Sequence, residues 1–217
     1  MDTAMIALHT ERAATYQLLA RLFAREVDSD LFESLSHLQA SDGEEAADQG
    51  LAVIVAYLNE CPEDPLTELA VDYTRLFIVR NEHGRDAAYP FESVYTSKEA
   101  LLMDTARDEV VKLYRQAGLA KDSSWKQGED HISLELEYMG VLAQKTAQAL
   151  ENNALNEAQK FVDAQISFLK NHLLTWISPF TDAMEKVAKS GFYKGVALLT
   201  RGYLEQDYVC LQEEKIF

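Results

Sequence analysis

Tyr89-Pro90-Phe91-Glu92-Ser93-Val94-Tyr95 interrupts a chain that is otherwise patterned for helix. Three aromatics, a proline and a carboxylate fall within seven residues. Proline fixes its own φ and drives Tyr89 toward extended backbone, so no helix is expected to run through the segment. Its aromatics are too dense for a solvated linker. The segment is therefore a plug in the core or a surface that receives a ligand.

Helical periodicity extends from it in both directions. Toward the N-terminus, Thr3 to Arg25 places Ile6, Ala13, Tyr16, Leu19, Ala20, Leu22 and Phe23 on one apolar stripe. Ser29 or Asp30 is placed to cap a short second helix. A third helix runs to Cys61-Pro62, and Pro65 opens a fourth that carries Leu69, Tyr73, Leu76 and Phe77. Arg80 to Tyr95 has no stable period. Thr96 with Glu99 reads as a capping box, and the helix after it ends at Gly118, a natural C′ residue. Beyond a polar stretch ending at Glu129, Asp130 stands at an N-cap position. Four helices follow, about His131–Leu150, Asn156–Leu169, His172–Ala188 and Phe192–Leu211, with Pro179 kinking or starting the third. The expectation is an all-α fold over residues 1–217. It is a bundle of about nine to ten helices, with tightly packed halves 1–118 and 130–217 joined by a hinge at 119–129.

At 217 residues and 47% hydrophobic, the chain is long enough to bury a core without disulfides. Its 20 basic and 36 acidic side chains leave a formal charge of −16, which excludes nucleic acid and favours a basic partner or plain solubility. Cys61 and Cys210 form no CxxC and read as reduced thiols of an intracellular protein. No signal-peptide pattern, membrane-length apolar run or Arg-Arg pair is present.

Catalytic signatures are missing: the sequence has no GxxxxGK[ST], GxGxxG, GxSxG or HExxH. His131 and Glu135 lie four residues apart on one helical face and could share a metal, but two ligands make a weak site, and a capped helix start explains the same residues. Tyr73, Leu76 and Phe77 at helical spacing fit a core as well as a binding surface. Glu92 and Ser93 fit either a ligand contact or a tie within the loop, and Asp130-His131 fit either a site or an internal anchor for that loop.

In order and spacing, the Tyr73-x-x-Leu76-Phe77 helix, the Tyr89–Tyr95 loop and Asp130-His131-Ile132 leading to Glu135, Glu137, Tyr138 and Met139 resemble the TorD/DmsD family of redox-enzyme maturation chaperones. A later His172-Leu173-x-x-Trp176 followed by Phe180 is also similar to that family. The resemblance spans most of the chain. It implies an all-helical cytoplasmic chaperone, not an enzyme and without a cofactor. Its partner is the precursor of a twin-arginine-exported molybdoenzyme, bound through signal peptide, folded body or both until molybdenum cofactor is inserted. It implies neither nucleic-acid binding nor membrane insertion, and it allows a domain-swapped homodimer.

A receptor for a basic and apolar signal needs an apolar groove rimmed by acid. Tyr73, Phe77, Phe91 and Tyr95 are the candidates for the groove and Glu92, Asp72, Asp130 and Glu135 for its carboxylates, with Pro90, Ser93 and His131 also in the candidate client-binding set. Two other classes fit the composition. One is a small metal- or nucleotide-dependent enzyme using His131 and Glu135; the other is a scaffold that binds folded protein through its acidic surface.

Overall fold

Local capping chemistry sets where the helices begin and end. The computed structural model describes residues 3–40, 43–60, 62–79, 87–97 and 105–214. In these, the secondary structure is helical: α1 Thr3–Ala24, α2 Ser29–Ser36, α3 Ala46–Asn59, α4 Pro65–Phe77, α5 Glu92–Thr96, α6 Thr105–Gln116, α7 Ile132–Glu151, α8 Leu155–Phe168, a π-helical turn Leu169–Leu173, α9 Leu174–Val187 and α10 Gly191–Glu213. The described residues hold no strand. An isolated antiparallel bridge pairs Phe91 with His131.

Pro65 starts α4 at a position whose N–H needs no partner, and Asp64 accepts from Thr67 N at 3.2 Å. Gly118 closes α6 with φ 75°, and Leu119 N reaches back to Tyr114 O at 2.8 Å. Asn153 plays the same part after α7 with φ 55°. Two caps differ from the sequence expectation. Asp28, not Ser29 or Asp30, caps α2 by accepting from Leu31 N. His131, not Asp130, caps α7, its Nδ1 accepting from Ser133 N at 3.1 Å. Part of the expected loop is also helical, because α5 begins two residues after Pro90. Thr96 is the last residue of α5, its hydroxyl donating to Glu92 O; Glu99, the other half of the expected capping box, lies outside the described residues, as does Cys61. Pro179 lies inside α9 rather than at its start.

The chain divides into two compact units, each discontinuous in sequence. The first comprises Met1–Phe23, Phe91–Trp176 and Gln206–Phe217; the second comprises Ala24–Pro90 and Ile177–Glu205. The stretch expected as a hinge, 119–129, lies wholly within the first. It is held there by its own polar bonds: Lys121 Nζ donates to Gln127 O at 2.9 Å, and Glu129 accepts from Arg107 Nε at 2.6 Å.

In the first unit, α7 crosses α1 at Gly140, where a Cβ would lie 3.4 Å from Ala13 O. Tyr138 packs on Tyr114 and Phe168, with ring centroids 5.0 and 4.8 Å away. The last turns of α10 are pinned to α1 through Asp207, which accepts from Arg12 Nε and from the Tyr16 hydroxyl, each at 2.7 Å. In the second unit, α3 and α10 cross through glycine. A Cβ on Gly50 would fall 2.2 Å from Leu199 N, and one on Gly195 would fall 2.7 Å from Gly50 O. Only glycine permits so close a backbone approach. Tyr73, Phe77, Phe180 and Tyr193 form an aromatic cluster beside this crossing, with centroid separations from 5.0 Å for Tyr73–Phe77 to 6.3 Å for Phe77–Phe180. No described helix is long and apolar enough to cross a membrane.

Candidate functional site

The Phe91–His131 bridge brings the aromatic loop to the start of α7. Glu92 N donates to Asp130 O at 3.0 Å. Phe91, at the N-cap of α5, supplies no side-chain cap, so the first amides of α5 need an acceptor from elsewhere. Asp130 provides one: its Oδ2 accepts from Ser93 N at 3.1 Å and from Ser93 Oγ at 2.5 Å. Asp130 therefore caps the helix across from it rather than its own, which is why His131 takes the cap of α7. Both Asp130 and Ser93 are fully buried. Phe91 and Trp125 each meet the His131 ring edge-on at 5.1 Å. Burial between them disfavours the charged imidazole and lowers its pKa to about 3.

A second layer lies behind the first. Glu92, 3% exposed, faces His172 Nδ1 at 3.1 Å from Oε2 and 3.2 Å from Oε1. With Glu92 accepting, the proton sits on Nδ1. His172 stands on the π-helical turn and stacks on Phe168 at 4.8 Å. Four residues on, the Trp176 indole N–H donates to Glu135 Oε2 at 3.2 Å, and its ring stacks with Tyr95 at 5.6 Å. Glu135 is fully buried. Burial pushes its carboxyl well above the usual carboxylate range, and the charge of Glu92 acts in the same direction. Burial and the neighbouring Glu92 thus favour the protonated form of Glu135.

The candidate residues consequently separate. Phe91, Glu92, Ser93, Tyr95, Asp130, His131 and Glu135 belong to the first unit, whereas Tyr73, Phe77 and Pro90 belong to the second. Glu92, Asp130 and Glu135 turn their carboxyls inward, onto His172, Ser93 and Trp176, and none is an open acid on the surface. Asp72 is likewise enclosed: its Oδ2 accepts from Ser190 N at 2.8 Å and Ser190 Oγ at 2.7 Å, and its Oδ1 accepts from Arg75 Nη1 at 2.6 Å. Phe91 and Tyr95 remain half-buried. His172 and Trp176 are the members of the constellation that sequence reasoning did not join to Glu92 and Glu135. The signal was their four-residue spacing, but the partners lie 80 and 41 residues away. Among the described residues no group of three or more His, Cys, Asp or Glu is arranged to hold a metal.

A family model described as nitrate reductase delta subunit matches residues 41–182. The chain is 29% identical over 214 residues to the chaperone protein TorD of Vibrio cholerae, covering 95% of this chain and 94% of that one. It is 30% identical over 222 residues to the chaperone protein TorD of Shewanella sp. strain ANA-3, covering 96% and 97%. A solved structure described as a redox enzyme maturation protein, from Archaeoglobus fulgidus, shares the fold with a TM-score of 0.51 at 21% identity, over 89% of this chain and 93% of that one. These relatives define the class as an all-helical chaperone rather than an enzyme. The chain belongs to the nitrate reductase delta subunit family, and its TorD relatives bear out the resemblance of the chain to the TorD/DmsD family. They also set aside the reading of His131 and Glu135 as part of a small enzyme's site.

Proposed function

We propose that this chain is a cytoplasmic maturation chaperone for a molybdenum-cofactor oxidoreductase. It binds the client's twin-arginine signal peptide, the body of the enzyme, or both, until cofactor is inserted. The observation that carries the proposal is the bracing of the aromatic loop. The segment that resembles the family signature is held from two sides, by Asp130 on Ser93 and by His172 on Glu92. Such bracing keeps Phe91 and Tyr95 in one conformation and lowers the entropy lost when a peptide docks. The acidic balance of −16 supports a basic partner. In the second unit Val71, Ile78 and Val79 are 51%, 61% and 46% exposed on and just after α4, which suits an apolar segment.

In this proposal the half-buried Phe91 and Tyr95 contact the client, and the buried Tyr73 and Pro90 with half-buried Phe77 support the second unit's own surface. Glu92, Ser93, Asp130, His131 and Glu135 position the loop. A domain-swapped homodimer is the proposed second form of the chaperone, read by light scattering across concentration. Calorimetry of the full chain against synthetic twin-arginine signal peptides tests the main proposal. Phe91→Ala or Tyr95→Ala is expected to weaken binding about tenfold, as for an aromatic contact at an interface, with the thermal melt little changed. Failure of every such peptide to bind, with no oxidoreductase co-purifying, ends the proposal.

A further inference from the structure

With Glu92, Asp130 and Glu135 committed inside the first unit, the acid for a client's basic side chain has to come from elsewhere. A cavity of about 310 Å³ opens between the end of α6, the 119–125 loop and α7. That volume is at the low end for ligand cavities, enough for one long side chain. Tyr114, Trp125 and Tyr138 line it, the first and last buried and Trp125 half-buried. Three exposed charged residues, Lys121, Asp122 and Glu137, also line it.

These charges are not equally available. Lys121 is already engaged by Gln127 O at 2.9 Å and Glu129 Oε1 at 3.1 Å. Asp122 accepts at Oδ1 from Ser124 N and Ser124 Oγ, at 2.7 and 2.5 Å, and those bonds hold its carboxyl below the usual range. Glu137 meets no hydrogen-bonding or ionic partner among the described residues. The Trp125 indole N–H, buried by its surroundings, also has no acceptor there. The lining thus offers aromatic walls and carboxylates.

The geometry points to this cavity as the seat for one arginine side chain of the client peptide. Its methylene stem and guanidinium lie against Trp125, Tyr114 and Tyr138, and its charge faces Glu137 and Asp122. Arginine fits better than lysine because a planar guanidinium stacks on aromatic rings and sheds water more readily than an ammonium. The inference rests on the proposed function for the source of the arginine; the site itself is independent of the braced loop.

The test follows the indole resonances of the full-length 15N-labelled chain, whose two tryptophans are told apart with Trp125→Phe. The probes are a synthetic twin-arginine signal peptide, the same peptide with both arginines replaced by glutamine, and acetyl-arginine methylamide. The twin-arginine peptide is expected to shift the Trp125 indole. Glu137→Gln, an exposed change, is expected to weaken that peptide about fivefold and leave the glutamine peptide unaffected. Equal weakening of both peptides, or binding with no Trp125 shift, overturns the site while leaving the proposed function standing. Should the twin-arginine peptide not bind at all, the proposed function fails and acetyl-arginine methylamide decides the site alone. A Trp125 shift suppressed by Glu137→Gln upholds the site, and no shift overturns it.

Discussion

Glu135→Gln is expected to make this chaperone more stable at neutral and alkaline pH and to leave it little changed in acid. Glu135 is fully buried and accepts from the Trp176 indole at 3.2 Å. Burial first, then Glu92, raises its pKa well above the ordinary 4.5. Above pH 4.5 the unfolded chain releases this proton while the folded chain keeps it. Folding therefore binds an extra proton, and stability falls as pH rises, by up to about 1.4 kcal/mol for each pH unit. His131 acts in the opposite sense. Its pKa drops from 6.5 to about 3, so the unfolded chain binds the extra proton between those values and stability rises with pH across them. The two slopes offset each other between pH 4.5 and 6.5, and the decline due to Glu135 stands alone above 6.5.

Glutamine keeps an oxygen that accepts from Trp176 and has no proton to lose. Above pH 6.5 the variant should gain up to about 1.4 kcal/mol per pH unit on the wild-type chain, until the folded chain releases the Glu135 proton. That is about 3–6 °C in Tm per pH unit for a chain of this size. Urea unfolding followed by far-ultraviolet circular dichroism, from pH 5 to 8.5 on both proteins, measures the difference directly. Parallel stability curves, separated by a constant offset, would refute the assignment of a retained proton to Glu135.

Two further outcomes follow from the packing. Ser93→Ala removes the hydroxyl donor from buried Asp130, whose Oδ1 already has no hydrogen-bond partner, and should cost about 1–3 kcal/mol. Hydrogen exchange should show faster opening of 92–96, and unchanged protection there would contradict the capping role of Asp130. Gly195→Ala places a methyl 2.7 Å from Gly50 O, so α3 and α10 must separate. A loss of about 1–3 kcal/mol or more is expected in urea unfolding, and a neutral effect would show that the crossing is looser than described.

Much of the fold was legible along the chain because helices are governed by neighbours three and four residues apart. Gly118 as the C′ of α6, Pro65 at the first turn of α4 and the apolar stripe of α1 all rest on such local rules, and each appears in the structure. The glycine crossing at Gly50 and Gly195 was not legible, since it takes form only when two distant helices meet. The loop stood out in the sequence because aromatics so dense around a proline do not suit a solvated linker, although the helix α5 begins two residues after that proline. What the loop's acids do was not legible. A carboxylate reads the same in sequence whether it faces water or a tryptophan, and its charge depends on what covers it. Only folding sets Asp130 against Ser93, Glu92 against His172 and Glu135 against Trp176, across 37, 80 and 41 residues. Those pairings turn expected rim charges into internal braces. Local chemistry along the chain therefore decides the helices and marks the loop, whereas the protonation and direction of the buried acids belong to the tertiary structure, because solvation is a property of the surroundings and not of the residue.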